Sequence, residues 1–326
     1  MPPADLKDLI RQTALEEGFA ACGFARARFL EEPFNRYMQA LEKGHLATMH
    51  WLERDPRRRF DPALVLTGAR SVIVILGDYH HGFKQKEGAF YKISKYAVTE
   101  DYHDTMLNRL RSLVRKIDVT FPGYTYKVYT DTGPIAEKAW AVEAGLGVFG
   151  KNTLLLTEKG SWYFIGVILT DAELEPDMPL VTDLCADCNL CMRACPTGAL
   201  VEPFVLDSRK CLSYQTIENK EELDPAIIPK LGTRLYGCDT CQDVCPYNRR
   251  QEPRPVFFRP GSVLYLSKED FENLDEEGFR RIFKGTAVKR IKFSRYLRNL
   301  NAIRSRKRPP VNPDGPQMSC KTKSEN

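Results

Sequence analysis

Eight cysteines are concentrated between residues 185 and 245, and their spacing limits the folds open to this chain. The first run, Cys-x2-Cys-x2-Cys-x3-Cys-Pro, begins at Cys185, and a second run, Cys-x2-Cys-x3-Cys-Pro, begins at Cys238. Cys211 lies alone between them. Runs of this kind hold iron–sulfur clusters in two-cluster ferredoxins, and two [4Fe–4S] clusters require eight thiolates. The sequence therefore predicts a ferredoxin-like domain that transfers single electrons.

The spacing also predicts how the ligands are shared. Three closely spaced cysteines bind one cluster, and the cysteine before proline reaches the other cluster. We expect one cluster to be bound by four of them: Cys185, Cys188, Cys191 and Cys245. The other cluster is expected to be bound by the remaining four: Cys195, Cys211, Cys238 and Cys241. Residues 212–237 then form an insertion in the ferredoxin pattern.

Zinc and disulfides explain this pattern less well. Structural zinc sites favour paired Cys-x2-Cys knuckles, and disulfides require an oxidising compartment. The N-terminus has no basic segment followed by an apolar one, and no stretch approaches the length of a membrane span. We expect a soluble cytoplasmic protein, with Cys22 in a core and Cys320 in a polar tail.

Positive charge is concentrated near the end of the chain. From Lys284 onward, twelve Lys and Arg residues are opposed by only two acidic ones. This asymmetry is typical of proteins that bind an acidic partner, and nucleic acid is the leading candidate. For Arg304–Arg308 we favour the alternative of a solvated tail. Residues 284–298 interleave apolar side chains with the charges, which predicts a helix with one apolar and one basic face.

Strand and helix patterns alternate over residues 1–178, which predicts an α/β domain. The expected strands are Ser71–Leu76, Tyr124–Tyr129, Thr153–Thr157 and Trp162–Thr170. The expected helices are residues 4–19, Phe34–Leu52, Asp101–Asp118 and Ile135–Ala144. The cluster domain is expected over 179–251, a basic helical region over 261–301 and a disordered tail over 302–326.

Asp131 lies between a predicted strand and a predicted helix and has two interpretations. It caps the helix, or it is a carboxylic acid whose pKa is raised by burial so that it donates a proton. The residues alone favour the cap. A dinucleotide fold is not supported, because no Gly-x-Gly-x-x-Gly follows a strand.

The chain resembles the epoxyqueuosine reductase family, cobalamin-dependent iron–sulfur enzymes of tRNA modification, over nearly all of its length to about Leu300. The resemblance rests on the cysteine runs and on seven short segments: Trp51–Arg54 with Asp61-Pro62, Lys95–Ala97 with Asp101–His103, Asp131–Pro134, Gly145–Asn152 and Phe283–Thr286. It implies a cobalamin-binding α/β domain, the two-cluster domain and a short helical C-terminal region that corresponds to a truncated HEAT-like array.

The resemblance implies reduction of epoxyqueuosine to queuosine at the wobble position of tRNA, the last step of queuosine biosynthesis. Loss of the epoxide oxygen as water needs two electrons and two protons. The resemblance implies that an external low-potential donor gives electrons to the clusters and that the clusters pass them to cobalamin, which forms cob(I)alamin. It also implies that Asp131 protonates the departing oxygen. For Asp131, the resemblance therefore favours the proton donor over the helix cap. A monomer is expected.

Further positions are implied by the resemblance. The cobalamin contacts that it implies are Arg54, Ser94, Asp131, Leu155, Ile165, Ser213, Asp239 and Thr240. For tRNA, the candidates lie on the basic face of residues 284–298 and on the insertion around 219–222: Asn219, Lys220, Lys284, Lys289, Arg290, Lys292 and Arg295. Lys and Arg would bind phosphates without reading the base sequence. The alternatives are a surface salt bridge for Arg54 and ordinary core packing for Leu155 and Ile165.

Two other functions stay open at this point. A corrinoid iron–sulfur reductive dehalogenase uses the same cofactors, but such enzymes usually carry a twin-arginine signal, which this N-terminus lacks. A ferredoxin-type electron carrier fused to a binding module leaves Asp131 and the glycine turns at 145–150 without a role.

Overall fold

An antiparallel four-stranded sheet lies at the centre of the protein, in a computed structural model that describes residues 3–305. The strands are β1 (Ala21–Arg26), β2 (Ser71–Asp78), β3 (Lys92–Ile93), β4 (Tyr126–Thr130), β5 (Val148–Phe149), β6 (Leu155–Leu156), β7 (Tyr163–Thr170), β8 (Leu200–Glu202), β9 (Val205–Leu206) and β10 (Arg234–Tyr236). The order in the central sheet is β1-β2-β7-β4, and each neighbouring pair is antiparallel. The short strands pair outside this sheet, β3 with β10, β5 with β6 and β8 with β9.

Helices surround the sheet and form the cluster and C-terminal regions. They are α1 (Pro3–Glu16), α2 (Glu31–Glu42), α3 (Tyr102–Thr120), α4 (Glu137–Glu143), α5 (Leu190–Ala194), α6 (Leu212–Ile217), α7 (Thr240–Asp243), α8 (Pro246–Arg249), α9 (Lys268–Glu272), α10 (Glu276–Ile282) and α11 (Lys292–Arg304). Short 3₁₀ turns include His50–Leu52, Pro56–Arg59 and Ala287–Ile291. No helix among residues 3–305 combines the length and apolar character needed to cross a bilayer.

The two central strands are buried on both faces. All eight residues of β2 are buried, as are seven of the eight in β7. Side chains alternate between the faces of a strand, so Ile73 and Ile75 enter one hydrophobic core while Val72 and Val74 enter the other. The sheet therefore separates two cores.

Glycines bring α3 close to the sheet. A Cβ at Gly166 in β7 would lie 2.6 Å from Leu110 Cδ1, and one at Gly77 in β2 would lie 2.5 Å from Met106 Sδ. Both contacts are too short for any larger residue. This close packing fixes the N-terminal end of α3 beside the end of β4, where the candidate site lies.

The C-terminal region shares a core with the α/β domain. Phe271, Phe283 and Tyr296 are fully buried in the same hydrophobic cluster as residues of α1 and α3. The Asn299 side chain donates to the carbonyl oxygens of Thr216 and Leu235 at 2.9 and 3.0 Å. Helix α11 thus holds both ends of the insertion.

The mixed α/β class is confirmed, but some elements differ from expectation. The predicted helix Phe34–Leu52 is wrong: α2 ends at Glu42, and Gly44 follows with a positive φ of 66°. Strand β1 was not predicted. Helix α11 extends to Arg304, past the predicted boundary at 301, and residues 306–326 of the predicted tail, Cys320 among them, lie outside the described residues. Cys22 is half-buried and packs against the core.

Candidate active site beside the cluster cysteines

Asp131 is the first residue after β4 and has a left-handed backbone with a φ of 56°. Its carboxylate oxygen Oδ2 lies 2.9 Å from His103 Nε2, and its backbone N–H donates to the Glu137 carboxylate. Helix α4 begins at Glu137, and its N-cap residue is Ala136. Asp131 therefore does not cap this helix, and its side chain, 43% exposed, is open on one side.

His103 lies between two carboxylates. Its Nδ1 is 2.6 Å from Asp101 Oδ1, while its Nε2 contacts Asp131. Asp101 is the N-cap of α3 and also accepts the backbone N–H of His103 at 3.1 Å. The backbone N–H of Asp101 donates to the Gly285 carbonyl at 2.7 Å, so the C-terminal region holds this turn in place.

Arg290 joins the site to the insertion. Its Nη1 lies 3.8 Å from Asp131 Oδ2, and its Nη2 lies 3.0 Å from Glu218 Oε1. Asp131, Arg290 and Glu218 belong to the α/β domain, the C-terminal region and the insertion respectively. Three distant parts of the chain therefore meet at one charged cluster.

These charges set the protonation states. Burial raises the pKa of Asp131, but the His103 hydrogen bond and charge, with Arg290, outweigh burial and hold that pKa below its usual range. The expectation of a raised pKa is therefore wrong. Burial lowers the pKa of His103, whereas the hydrogen bonds to Asp101 and Asp131 prevail and raise it to about 9. Burial and the Asp131 charge raise the pKa of Glu137 well above its usual value.

The eight predicted ligand cysteines fall into two neighbouring groups, all half-buried. The thiol charges that act on Cys191 come from Cys185, Cys188 and Cys245. Those that act on Cys211 come from Cys238 and Cys195, and those that act on Cys241 come from Cys211 and Cys238 and also from Cys191 of the other group. The groups have the membership that the spacing predicts, while cluster ligation itself stays a prediction.

Backbone N–H groups point at the cysteine sulfurs. The Ala199 N–H donates to Cys195 Sγ at 3.3 Å, and the Lys151 N–H donates to Cys185 Sγ at 3.5 Å. Such donors stabilise thiolate charge and tune cluster potentials. Among residues 3–305, no group of three His, Cys, Asp or Glu side chains converges on a single metal ion. A cubane instead takes one cysteine at each of its four irons.

Three of the predicted cobalamin contacts line one open cleft of about 500 Å³: Ser94, Asp239 and Thr240. The Lys95 N–H donates to the Asp239 carboxylate at 2.7 Å. Gly237 has a φ of 75°, and a Cβ there would lie 2.1 Å from Ser94 Oγ. Only glycine allows the insertion to return so close to Ser94, and this brings the cleft next to Cys238.

The other predicted cobalamin contacts are more dispersed. Leu155 and Ile165 are buried in the core, as the packing alternative expects. The Ile165 carbonyl accepts the Thr130 hydroxyl at 2.9 Å, which places Ile165 beside the Asp131 turn. Ser213 is the second residue of α6, close to Cys211, and Arg54 is exposed on a loop between two 3₁₀ turns. Their contact with a cofactor stays a prediction.

The predicted tRNA contacts separate into exposed and internally bonded residues. The four lysines are exposed: Lys220, Lys284, Lys289 and Lys292. The Asn219 amide is buried and donates to Gln215 and Glu222, Arg290 pairs with Glu218, and Arg295 donates to three backbone carbonyls. Contact of these last three residues with tRNA stays a prediction. Their donors hold the insertion in place.

Sequence reasoning missed His103 and Glu137 as parts of the site. His103 lies in Asp101–His103, one of the segments that carry the family resemblance, but no role was assigned to it. Glu137 carries no motif, because its contact with the Asp131 backbone depends on the tight turn at Gly133-Pro134.

Comparison with known proteins shows to which family this chain belongs. The family models "Epoxyqueuosine reductase QueG, DUF1730" and "4Fe-4S double cluster binding domain" match residues 59–132 and 184–248. An epoxyqueuosine reductase from Cellulophaga algicola is 39% identical over 300 residues, which cover 91% of this chain and 97% of that relative. The chain belongs to the epoxyqueuosine reductase family. It is therefore an oxidoreductase. A relative from Gloeobacter violaceus is 41% identical over 299 residues, with 89% and 93% covered.

Solved epoxyqueuosine reductases have the same fold. The structure from Streptococcus thermophilus is 30% identical and superposes with a TM-score of 0.83, covering 91% of this chain and 80% of that one. A second, solved with an epoxyqueuosine-modified tRNA stem loop, is 27% identical with a TM-score of 0.83 and coverage of 93% and 81%.

Proposed function

We propose that this protein reduces epoxyqueuosine to queuosine at the wobble position of tRNA, as a cytoplasmic monomer and as the last step of queuosine biosynthesis. The observation that carries the proposal is the half-exposed Asp131 carboxylate, hydrogen-bonded to His103, in a member of this family with two grouped sets of four cysteines. A solved relative with a modified tRNA stem loop supports the choice of substrate.

Asp131 delivers a proton to the departing epoxide oxygen. Both carbon–oxygen bonds of the epoxide break, an alkene forms, and the oxygen leaves as water after it gains two protons; two electrons enter. Proton delivery matters because alkoxide and hydroxide are poor leaving groups. The open side of Asp131 provides room for the substrate oxygen, while His103 and the Glu137 carboxylate fix the turn behind it.

The eight grouped cysteines bind two [4Fe–4S] clusters in this proposal. The clusters accept single electrons from an external low-potential donor. Bound cobalamin supplies a cobalt centre that stores electrons and is strongly nucleophilic.

The residues present fit cobalamin at the cleft beside Cys238. Ser94, Asp239 and Thr240 offer hydroxyl and carboxylate groups there, and Gly237 keeps the backbone close. These polar groups suit the amide substituents at the edge of a corrin. Four further positions would complete the site: Arg54, Leu155, Ile165 and Ser213.

The exposed lysines bind the tRNA backbone in this proposal. Lys284, Lys289 and Lys292 are exposed near the start of α11, and Lys220 is exposed on the insertion. Phosphate contacts fix register without reading sequence, and the modified base must leave its stack to reach the site.

The test is reconstitution and turnover. Protein with rebuilt clusters and added cobalamin is given a low-potential reductant and tRNA that carries epoxyqueuosine, and the tRNA nucleosides are measured by mass spectrometry. We expect queuosine to form. A halogenated phenol is offered in parallel, and dehalogenation without queuosine formation would establish the alternative reaction instead.

A further inference from the structure

We propose that His103 is the proton store of this site: it carries the proton that Asp131 delivers and passes it to the Asp131 carboxylate once the substrate is bound. This proposal rests on the proposed function and adds a second residue to its proton path. Asp131 keeps its role as the group that touches the substrate.

With both neighbouring carboxylates ionised, the hydrogen-bond geometry fits a doubly protonated imidazole. His103 Nδ1 lies 2.6 Å from Asp101, and Nε2 lies 2.9 Å from Asp131. An ionised carboxylate only accepts hydrogen bonds, so both ring nitrogens must donate, and only the imidazolium has two N–H groups. The two carboxylates also raise the pKa of His103 to about 9, after outweighing the opposite effect of burial. His103 is thus charged at neutral pH.

Asp131 by itself holds no proton to give at neutral pH. Burial raises its pKa, but His103, Arg290 and Tyr102 together prevail and keep the carboxylate ionised. Glu137 faces the Asp131 backbone with a carboxyl whose pKa is raised, yet it accepts the Asp131 N–H and does not donate to the Asp131 side chain. The Tyr102 hydroxyl also bonds the Asp131 side chain, but burial raises the pKa of Tyr102 well above its usual value, so the proton of His103 is the one more readily transferred.

Substrate binding favours transfer of the proton from His103 to Asp131. The Asp131 side chain is 43% exposed, whereas His103 is 21% exposed. A substrate over the open side of Asp131 would remove its water, and loss of water favours a neutral acid and neutral imidazole over an ion pair. The stacked ring of Tyr102, 4.0 Å from that of His103, already excludes water from the other side.

The transfer is balanced in protons and changes no electrons. The Nε2–H bond of His103 breaks as an O–H bond forms on Asp131, and the ion pair becomes a neutral pair. The Asp131 O–H then protonates the epoxide oxygen and returns to carboxylate. Neutral His103 keeps its Nδ1–H bond to Asp101, and Nε2 takes up one proton from the buffered solvent, so each cycle consumes one solvent proton. Asp101 acts as a positioning residue, because it fixes the ring and keeps Nε2 turned toward Asp131.

A first test measures protonation without turnover. The chain has five histidines, so ring-¹³C histidine labelling of the cluster-loaded, oxidised protein gives few signals, and His103→Gln identifies the one from His103. We expect that signal to titrate near pH 9 and to move to a lower pH in Asp101→Asn and in Asp131→Asn. Titration near pH 6.5 in the wild type would overturn the proposal.

A second test measures the reaction. In His103→Gln the amide still donates to Asp131 but has no transferable proton. We expect single-turnover conversion at pH 7.5 to fall roughly 100-fold, with unchanged cofactor content, and its alkaline decline near pH 9 to disappear. His50→Gln, at an exposed site, is the control and should keep the wild-type profile. A His103→Gln enzyme with the wild-type rate and pH profile would refute the proposal. If wild-type protein converts no substrate, the proposed function fails, and the titration still decides the state of His103.

Discussion

Glu218 Oε1 lies 3.0 Å from Arg290 Nη2, and this ion pair joins the insertion between the cluster cysteines to the C-terminal region. The same guanidinium lies 3.8 Å from Asp131. The insertion between the predicted cluster cysteines and the proposed proton donor therefore meet at one arginine. The insertion therefore has a structural role, because it provides the ion-pair partner of Arg290.

The Glu218–Arg290 pair should contribute to stability. We expect a double-mutant cycle of Glu218→Gln and Arg290→Met to give a coupling of about 0.5–1 kcal/mol, because the pair is only partly exposed. The exposed pair Glu276–Arg280 is the control, with an expected coupling of about 0.3–0.5 kcal/mol. Unfolding of the apoprotein by urea measures both. Equal coupling in the two pairs would contradict a special role for Arg290.

The stabilisation from His103 should depend on pH. Its folded-state pKa of about 9 exceeds the usual 6.5, so its contribution is complete below pH 6.5 and is lost as the pH rises through 9. The pKa of Asp131 is lowered, so its contribution is lost as the pH falls below the usual carboxylate range. We expect His103→Gln to cost roughly 2 kcal/mol near pH 6 and much less at pH 9.5. Melting temperatures of the two proteins at both pH values provide the measurement, and a gap independent of pH would argue against the assignment.

Glycine at position 237 should be essential for the cofactor cleft. Gly237→Ala forces a Cβ against Ser94 Oγ at a φ of 75°. We expect lower iron content and weaker cobalamin binding, measured from the visible spectrum. Gly88→Ala is a matched control, since Gly88 has a φ of 79° and no atom within 4 Å of the added Cβ. If both variants lose cofactor equally, backbone strain alone is responsible and the close approach to Ser94 has no role.

The exposed lysines should account for the salt dependence of tRNA binding. We expect the Lys284→Gln, Lys289→Gln and Lys292→Gln variants each to weaken binding and to reduce the slope of log K against log salt by about 0.7–0.9. Arg295→Gln should lower the melting temperature more than it changes this slope, because Arg295 donates to backbone carbonyls. Lys230→Gln, at another exposed site outside the predicted tRNA contacts, is the control. Unchanged slopes in all three lysine variants would indicate that tRNA binds to another surface of the protein.

Local patterns in the sequence predicted much of the fold. The β-branched run at Ser71–Leu76 and the apolar spacing in Asp101–Asp118 correspond to β2 and α3 with small shifts at their ends. Strand β1 has the sequence Ala-Cys-Gly-Phe-Ala-Arg, which has weak strand propensity, and it is a strand because it pairs with β2. A Cβ at Gly23 would lie 2.4 Å from the Ala144 carbonyl, so tertiary packing decides this segment.

The site was only partly predictable for the same reason. Asp131 was predicted as the acid, but its pKa direction depends on His103, 28 residues earlier, and on Arg290, far later in the chain. The sequence shows the charges of residues 284–298 but not their partners. It therefore did not distinguish Lys289, which is exposed, from Arg295, which is bonded to the protein interior.

The central claim is that Asp131 protonates the departing oxygen of epoxyqueuosine. The most direct measurement is single-turnover conversion of epoxyqueuosine tRNA by wild-type and Asp131→Asn protein, each reconstituted with clusters and cobalamin and matched in cofactor content by visible spectrum. We predict rapid formation of queuosine by the wild type and a rate lower by at least about 100-fold in Asp131→Asn. Conversion at the wild-type rate by Asp131→Asn would contradict the account.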